Sequence, residues 1–287
     1  MTTPLWKKDD SVIGEAAMAF MAGRDIQLDA EILPFDIQAS IAHVRGLQRI
    51  GCLTESQGGT LVDALARLGE AVASGAFVLD PAHEDGHSAI EAHLVAELGE
   101  LGKRVHLGRS RNDQVLVATR LCTLGALEEI GELAAGAASA ALEVAARHRD
   151  AVMPGYTHLQ RAVPSTVGLW MASFAEAFID DAWLLAQTRQ WLSASPLGTA
   201  AGYGVNLPLD RAGVAAELGF ERVQVNPMYA QASRGCFEVQ ALTACWQVMQ
   251  DVRRLAWDFS LYASAEFGFV TPPPETVTGS SIMPNKR

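Results

Sequence analysis

Three long stretches of this chain carry apolar side chains at intervals of three and four residues, and no other feature constrains its fold as strongly. They run from about residue 110 to 147, from about 164 to 196 and from about 230 to 267. Such spacing places the apolar side chains on one face of an α-helix. A helix of about 30 residues is about 45 Å long, which is too long for a compact monomer without partners. We therefore predict an all-α fold, a bundle of long helices that forms oligomers.

Each long stretch has a predicted inward face. The first face consists mostly of small side chains that permit close helix contacts, namely Leu127, Ile130, Ala134, Ala137, Ala141 and Val144. The second face is larger and partly aromatic, namely Val167, Trp170, Met171, Phe174 and Phe178. For the third stretch we predict an inward face of Leu242, Trp246, Met249, Val252, Ala256 and Phe259. These faces are expected to meet in the core of the bundle.

Shorter amphipathic segments precede the long ones. Pro34 suits the first turn of one helix, and Thr54 with Gln57 has the pattern of a capping box that opens another. We predict a small helical N-terminal domain over residues 1–107 and a central long-helix bundle domain over residues 108–287. No convincing series of strands is present in the sequence.

Charge and composition exclude several classes of function. The net charge is −11 at pH 7 and no basic run occurs, which argues against nucleic acid or an acidic membrane surface as partner. No apolar run is long enough to span a membrane, and residues 1–10 are too charged for a signal peptide, so we expect a cytosolic protein. Neither a disulfide framework nor a zinc knuckle is indicated by the four dispersed cysteines, Cys52, Cys122, Cys236 and Cys245.

The segment from Arg109 to Asn112 has the composition of an anion site. Arg109 and Arg111 supply guanidinium groups, Ser110 a hydroxyl and Asn112 an amide, at the predicted start of a long helix. Unpaired N–H groups and the helix dipole also favour an anion at that position. We therefore regard this segment as a candidate carboxylate site, although a solvent-exposed helix cap has the same composition.

A second segment with chemical potential surrounds His158. Thr157 and Gln160 place hydrogen-bonding side chains on both sides of the imidazole. Because an ordinary histidine pKa lies near 6.5, His158 could act as an acid or a base with only a small shift. A structural histidine in a loop is the alternative.

A third segment, from His83 to His87, matches the H-E-x-x-H pattern of zinc peptidases. That pattern requires a firm helix, whereas Pro81 lies just before it and Gly86 lies within it. We therefore disfavour a zinc site. The acidic residues near His87 are equally typical of an ordinary helix start.

The last ten residues, 278–287, have the composition of a loop. Gly279 frees the backbone, Ser280 and Ser281 supply adjacent hydroxyls, and Pro284 forbids a regular helix. Two basic residues end the segment. Such a loop suits a mobile lid that carries a nucleophile or base to an anionic substrate, and a polar linker between helices is the alternative.

Taken in order, four blocks of the chain resemble the signature segments of argininosuccinate lyases, a family within the aspartase/fumarase superfamily. The blocks are residues 84–87 with Ile90-Glu91, residues 108–114, residues 155–160 and residues 279–284. Ser-Arg-Asn-Asp-Gln and Tyr-Thr-His-Leu-Gln are specific to this family. The Gly-Ser-Ser block is shared with fumarase, aspartase and adenylosuccinate lyase. Since further helices follow that block in the family, the resemblance implies that residues 1–287 form the N-terminal part of such an enzyme.

The resemblance implies a reversible elimination that splits argininosuccinate into arginine and fumarate, a step of arginine biosynthesis. Ser280 is then the group that takes the β-proton, and His158 protonates the departing guanidino nitrogen, or orients water that does. An older allocation within the family reverses these two roles. The expected substrate-binding residues are Arg109, Ser110, Arg111, Asn112, Thr157, Gln160 and Lys286. Further candidates are His87 and Ser281.

The resemblance also implies a homotetramer with active sites built from several subunits, and it implies no metal or organic cofactor. Residues 1–287 alone are expected to be inactive and to associate poorly, with residues 278–287 disordered. Without the later helices of the family, Leu242, Trp246, Met249 and Phe259 are expected to be partly exposed. Two alternative hypotheses remain, namely a related fumarate-releasing lyase such as adenylosuccinate lyase and a non-catalytic helical oligomer.

The sequence departs from the family pattern in three places. Of the N-terminal sequence often seen in the family, only Leu5-Trp6 is similar here. Residues 22–24 stand in place of a stretch that can contact substrate in the family. Leu107 stands where a threonine is common. The resemblance therefore identifies no substrate-binding residue in the N-terminal region.

Overall fold

A computed structural model describes residues 20, 23–80, 83 and 85–286. The N-terminal departures at Leu5, Trp6 and Ala22 lie outside the described residues, as do Glu84 and Arg287. No described helix is both long and apolar enough to cross a membrane.

Helices make up most of the structure, which is 66% helical and confirms the predicted all-α class. The first half contains α1 Asp25–Arg49, α2 Glu55–Ala73, α3 Gly86–Leu98, a 3-10 segment Gly99–His106 and α4 Arg111–Arg147. The second half contains β1 Val152–Thr157, β2 Gln160–Thr166, α5 Val167–Leu192, β3 Ala194–Ser195, α6 Arg211–Glu217, β4 Arg222–Val223, α7 Pro227–Ala232, α8 Cys236–Tyr262 and a 3-10 turn Pro274–Thr276.

Contacts divide the chain into two compact units. Unit 1 comprises residues 1–126 and 189–239, and unit 2 comprises residues 127–188 and 240–287. The long helices α4, α5 and α8 each contribute to both. The domain boundary predicted at residue 107 stays a prediction.

Unit 1 has an aliphatic core formed by α1, α2 and α3. Its fully buried members include Val44, Leu47, Leu61, Leu65, Leu68, Ile90 and Leu94. The capping box at the start of α2 is confirmed, because the Gln57 N–H donates to Thr54 Oγ1 and the Thr54 N–H donates to Gln57 Oε1.

Pro34 corrects one predicted helix start. The helix α1 begins at Asp25 and contains Pro34 in its interior. A proline there costs about 3 kcal/mol or more. Its neighbours Leu33 and Ile37 are both buried, and burial of such a side chain contributes about 1.5–3 kcal/mol, which offsets that cost.

Unit 2 is built on the inward faces predicted for α4 and α5. Small side chains of α4 pack against larger ones of α5, and the buried members are Ala138, Ala141, Ala145, Met171, Phe174, Ala175 and Phe178. Gly168 of α5 shows how close this packing is, because an added Cβ would lie 3.0 Å from the Ala145 carbonyl oxygen of α4.

The face of α8 predicted to be inward in the bundle is exposed in the single chain, which confirms the partial exposure predicted for residues 1–287 alone. Leu242, Trp246 and Met249 are exposed by 68%, 60% and 58%. The buried face of α8 instead consists of Phe237, Ala241, Ala244, Val248 and Asp251. Both sets step by three and four residues, so the period could not choose between them, and the small alanines permit closer helix contact.

Two small sheets complete the fold. The strands β1 and β2 form an antiparallel hairpin in unit 2, with Val152 opposite Thr166 and Thr157 opposite Gln160. The strands β3 and β4 pair in parallel in unit 1. The hairpin was not predicted, and its turn carries His158.

Candidate active site

The start of α4 is fixed by the buried carboxylate of Asp113. Its Oδ1 accepts the Ser110 N–H at 3.0 Å, and its Oδ2 accepts the N–H groups of Gly198 and Ala200, each at 2.9 Å. Asp113 is fully buried. The first turn of α4 is therefore tied to the glycine-rich segment that follows β3, which holds the predicted anion site in one conformation.

Arg111 joins the first turns of α3 and α4. Its Nη1 donates to Asp85 Oδ2 and its Nη2 to Ser88 Oγ, both at 2.7 Å. Asp85 is also the N-cap of α3, where its Oδ1 accepts the Ser88 N–H at 2.7 Å. The guanidinium is thus held in place at the entrance to both helices.

We expect Arg111→Ala to raise KM for argininosuccinate by about tenfold and to change kcat less, because a charge-assisted clamp of this kind binds the ground state as well as the transition state. Steady-state fumarate release by the full-length protein measures both constants. Arg67→Ala is the matched control, since Arg67 forms an exposed ion pair with Glu97. An unchanged KM in Arg111→Ala would remove this residue from the binding site.

Arg109 points into the interior of unit 1. Its side chain is 7% exposed, its Nη1 donates to Ser40 Oγ at 3.0 Å, and its Nη2 donates to the Val105 carbonyl at 2.8 Å. Burial lowers the pKa of the guanidinium, and Asp36 and Asp113 oppose that shift. Its role in substrate binding stays a prediction.

Asn112 lies exposed one residue after Arg111. Ser110 Oγ accepts from the Asn112 N–H and from its Nδ2, both at 3.2 Å. Arg234 Nη2 donates to the Asn112 carbonyl at 2.9 Å and to its Oδ1 at 3.1 Å. Arg234 could not be predicted from the sequence, because a single arginine between α7 and α8 carries no recognisable pattern.

His87 lies buried in the first turn of α3, where its Nδ1 contacts Asp36 Oδ2. The other histidine of the H-E-x-x-H match, His83, precedes α3, which begins at Gly86. The two imidazoles therefore do not share a helix face, and the geometry of a zinc-peptidase motif is absent from the described part of this segment. Asp36 was also missed, because it lies inside an amphipathic helix without any motif.

His158 occupies the tight turn between β1 and β2. His158 and its neighbour Leu159 have φ values of 56° and 57°, and Thr157 pairs with Gln160 on either side. These values are typical of a two-residue hairpin turn, which normally contains Gly or Asn. Neither residue type is present at 158 or 159, so the sequence did not predict a hairpin. A left-handed residue other than glycine costs about 1–2 kcal/mol. Such strain clusters at functional sites.

An aromatic cluster packs beside the turn of this hairpin. Tyr156 of β1 packs against Phe267 with ring centroids 5.1 Å apart and against Phe269 at 6.2 Å. Tyr262, at the end of α8, contacts the same two phenylalanines. Tyr262, Phe267 and Phe269 follow one another in the chain. Their packing therefore holds the segment that leads from α8 toward the C-terminal loop.

Residues 278–286 form an irregular loop, as the sequence predicted. Ser280 Oγ accepts the N–H groups of Ile282 at 3.3 Å and Met283 at 3.1 Å. Lys286 Nζ donates to Thr278 Oγ1 at 3.1 Å. Two N–H donors on one hydroxyl oxygen favour negative charge on that oxygen.

The predicted site residues therefore form three groups. In unit 1, Ser110, Arg111 and Asn112 lie together at the start of α4. In unit 2, one group is the hairpin turn with His158 and the other is the C-terminal loop with Ser280, Ser281 and Lys286. The Thr157 and Gln160 side chains flank His158 and are exposed.

Comparison with known proteins places the chain among lyases. A family model described as "Lyase" matches residues 16–287. The argininosuccinate lyases of Stenotrophomonas maltophilia (strain R551-3) and Xanthomonas oryzae pv. oryzae (strain PXO99A) are each 52% identical over 287 residues, which is 100% of this chain and 67% of each relative. That of Xylella fastidiosa (strain 9a5c) is 51% identical, and the chain covers 64% of its length.

Solved structures support the fold. EDDS lyase in complex with formate superposes with a TM-score of 0.83 at 26% identity, covering 96% of this chain and 55% of that protein. A class II fumarase from Schistosoma mansoni superposes with a TM-score of 0.76 at 16% identity, covering 94% of this chain and 66% of that protein. The likeness to the fumarase concerns the fold alone.

Proposed function

The chain belongs to the argininosuccinate lyase family, and from that premise we propose that it carries out the reversible elimination that splits argininosuccinate into arginine and fumarate. The observation that carries the proposal is the 52% identity to argininosuccinate lyases, which extends over the whole chain. All the candidate site residues lie within this matched length. The hydrogen bonds and exposure of individual candidate residues support the proposal.

The elimination begins with loss of a proton from the carbon beside a carboxylate. The resulting carbanion spreads its charge onto that carboxylate, so the site must supply fixed donors for a doubly charged intermediate. We assign this role to Asn112 and Lys286. Asn112 supports the assignment through its exposed place in the first turn of α4, where the helix dipole favours anions.

Ser280 is our candidate for the group that removes this proton. The N–H groups of Ile282 and Met283 already point at its Oγ, and they would lower the free energy of the alkoxide relative to the hydroxyl. Nearby cations add to this effect. Lys286 belongs to the same loop.

His158 is our candidate for the group that protonates the departing guanidino nitrogen, either directly or through water. It is exposed in the turn of the hairpin, where the nearby Tyr156 packs against Phe267, so the imidazole is accessible from solvent. The opposite allocation, with His158 as base and Ser280 as acid, uses the same two residues.

A homotetramer is part of this proposal. The exposed face of α8 supports it, because Leu242, Trp246 and Met249 present large apolar side chains on one helix. Exposed apolar patches of this kind mark surfaces that associate. A site that draws on several subunits would then combine the three groups of residues in one place.

Genetic complementation tests the function in a cell. The full-length gene is expected to restore growth without arginine to a bacterial strain that lacks argininosuccinate lyase, and the Ser280→Ala variant, expressed at the same level, is expected to fail. If the gene instead rescues only a strain that lacks adenylosuccinate lyase, the substrate is adenylosuccinate. Failure of the wild-type gene in both strains, with the protein present, would favour a non-catalytic oligomer.

A further inference from the structure

One face of α1 carries polar side chains toward the first turns of α3 and α4. They lie at intervals of seven, four and three residues, so they share one helix face. They are Asp29, Asp36, Ser40 and His43. Each of them bonds to a group at or near the start of α3 or α4.

The outer members of this row hold backbone groups. Asp29 Oδ2 accepts the Gly86 N–H, the first of α3, at 2.7 Å. His43 Nε2 lies 2.8 Å from the carbonyl of Leu107, just before α4. Ser40 Oγ accepts a hydrogen bond from the buried Arg109 guanidinium. Side chains from both ends of this row therefore contact the starts of α3 and α4.

Asp36 is the central member. Its carboxylate is 1% exposed and contacts His87 Nδ1 through Oδ2. Gln114 Nε2 donates to its Oδ1 at 2.9 Å and lies 3.2 Å from its Oδ2. Since His87 is in the first turn of α3 and Gln114 is in the first turn of α4, a single carboxylate joins the two helix starts.

The charges around Asp36 favour the ionised pair. Burial opposes ionisation of the carboxyl, but His87 and the nearby Arg109 outweigh it and hold the pKa of Asp36 below its ordinary value. Burial likewise opposes the imidazolium, but Asp36, followed by Asp85 and Asp29, outweighs it and raises the pKa of His87.

Further charged groups face this pair from the segment before α4. His106 and Arg109 lie there, and burial followed by the charge of Arg109 lowers the pKa of His106. A neutral His106 adds no repulsion to the imidazolium. The bond between His87 and Asp36 is therefore charge-assisted, and such bonds are about twice as strong as neutral ones.

We propose that Asp36 is a positioning residue, which sets the register between the first turns of α3 and α4 and so presents Arg111 and Asn112 to the substrate carboxylates. Arg111 is the link, because its guanidinium donates to Asp85 and Ser88 on the α3 side. A shift of α3 against α4 moves this guanidinium. The proposal rests on the proposed function for the identity of the substrate.

A buried carboxylate is a costly way to stabilise a fold, since well-packed apolar residues often do as well or better. A charged centre that accepts from both helix starts is suited instead to fixing their relative geometry. The expected signature of Asp36 is therefore a change in substrate affinity and in its pH dependence, beyond any change in stability.

The test compares Asp36→Asn, which keeps size and shape but removes the charge, with Asp63→Asn, which changes an exposed aspartate of α2. In full-length protein, Asp36→Asn is expected to raise KM for argininosuccinate by about tenfold and to lower kcat by less than about threefold. Asp63→Asn is expected to match wild type. Equal KM in wild type and Asp36→Asn would overturn the proposal.

The pH dependence provides a readout that a merely structural role would not move. Because the pKa of His87 is raised, its contribution is present below that pKa and is lost as the pH rises through it. The rise in KM with pH is expected to shift to lower pH in Asp36→Asn. An unshifted profile would contradict the proposal.

A titration without substrate separates this inference from the proposed function. In protein labelled with ¹³C at the histidine rings, His87, assigned through His87→Gln, should stay protonated above the ordinary histidine pKa in wild type and titrate lower in Asp36→Asn. If His87 of the wild-type protein titrates at the ordinary histidine pKa, the proposed pairing of His87 with Asp36 is wrong even if the enzyme is active. If the pairing is found but wild type releases no fumarate, the proposed function fails and the positioning of the helix starts stands.

His87→Gln is the second variant should Asp36→Asn fail to fold. It leaves the carboxylate and its bond from Gln114 in place, and KM is expected to rise in the same direction. Where both variants fold, the double substitution should cost little more than either one alone. Additive effects on KM would show that the two residues act independently.

Discussion

Replacing Ser280 by alanine in the full-length protein is expected to lower kcat by about 10²-fold or more, because transfer of the β-proton by a positioned group contributes that much. The helical circular dichroism should not change, since Ser280 lies in an exposed loop and its Oγ only accepts from two nearby N–H groups. Turnover is measured by the ultraviolet absorbance of fumarate.

Ser281→Ala is the matched control for this substitution. Ser281 is the adjacent hydroxyl in the same exposed loop, and its replacement should cost less than that of Ser280. The reverse ranking would move the catalytic role to Ser281. Near-wild-type turnover in Ser280→Ala would show that another group removes the proton.

His158→Ala is expected to lower kcat by a similar factor, about 10²-fold or more, because it removes the candidate for protonating the leaving nitrogen. Since His158 has a φ of 56°, the backbone effect can be separated from the chemical one. His158→Gly should be as inactive as His158→Ala but more stable, by about 1 kcal/mol, because glycine adopts this conformation without strain.

Leu159→Ala is the control in the same turn. Leu159 has a φ of 57° and is exposed, so its replacement keeps the backbone demand and leaves the imidazole in place. Its kcat should stay near wild type, with thermal unfolding measured in parallel. A loss in Leu159→Ala equal to that in His158→Ala would mean that the turn geometry, and not the imidazole, determines the rate.

The helices could be predicted because their signals are local. The capping box of α2 depends on two side chains three residues apart, Thr54 and Gln57, and both bonds are present. The inward faces of α4 and α5 were also predicted correctly, since each helix has one continuous apolar face. The family could be identified because whole blocks of the sequence carry it.

The hairpin and the buried face of α8 could not be predicted for a different reason. The turn at His158 and Leu159 uses left-handed residues that lack the usual turn signal, so its conformation is imposed by the strands on either side. On α8 two faces have the same helical period. Only the packing partners determine that Ala241 and Ala244 are buried while Trp246 is exposed.

Asp36 and Arg234 represent a further class of residue that the sequence did not reveal. Each makes its important contacts with residues far away in the chain, Asp36 with Gln114 and Arg234 with Asn112. A single sequence contains no signal for such pairs. The motif residues could be found without the structure, but the residues that hold them could not.

The most direct test of the central claim is to incubate the full-length protein with argininosuccinate and to follow the products by proton NMR. We predict arginine and fumarate in equal amounts, formed with wild-type protein, slowed by about 10²-fold or more in Ser280→Ala and His158→Ala, and no fumarate from adenylosuccinate. A folded wild-type protein that leaves argininosuccinate intact, or that releases fumarate only from adenylosuccinate, would contradict the account.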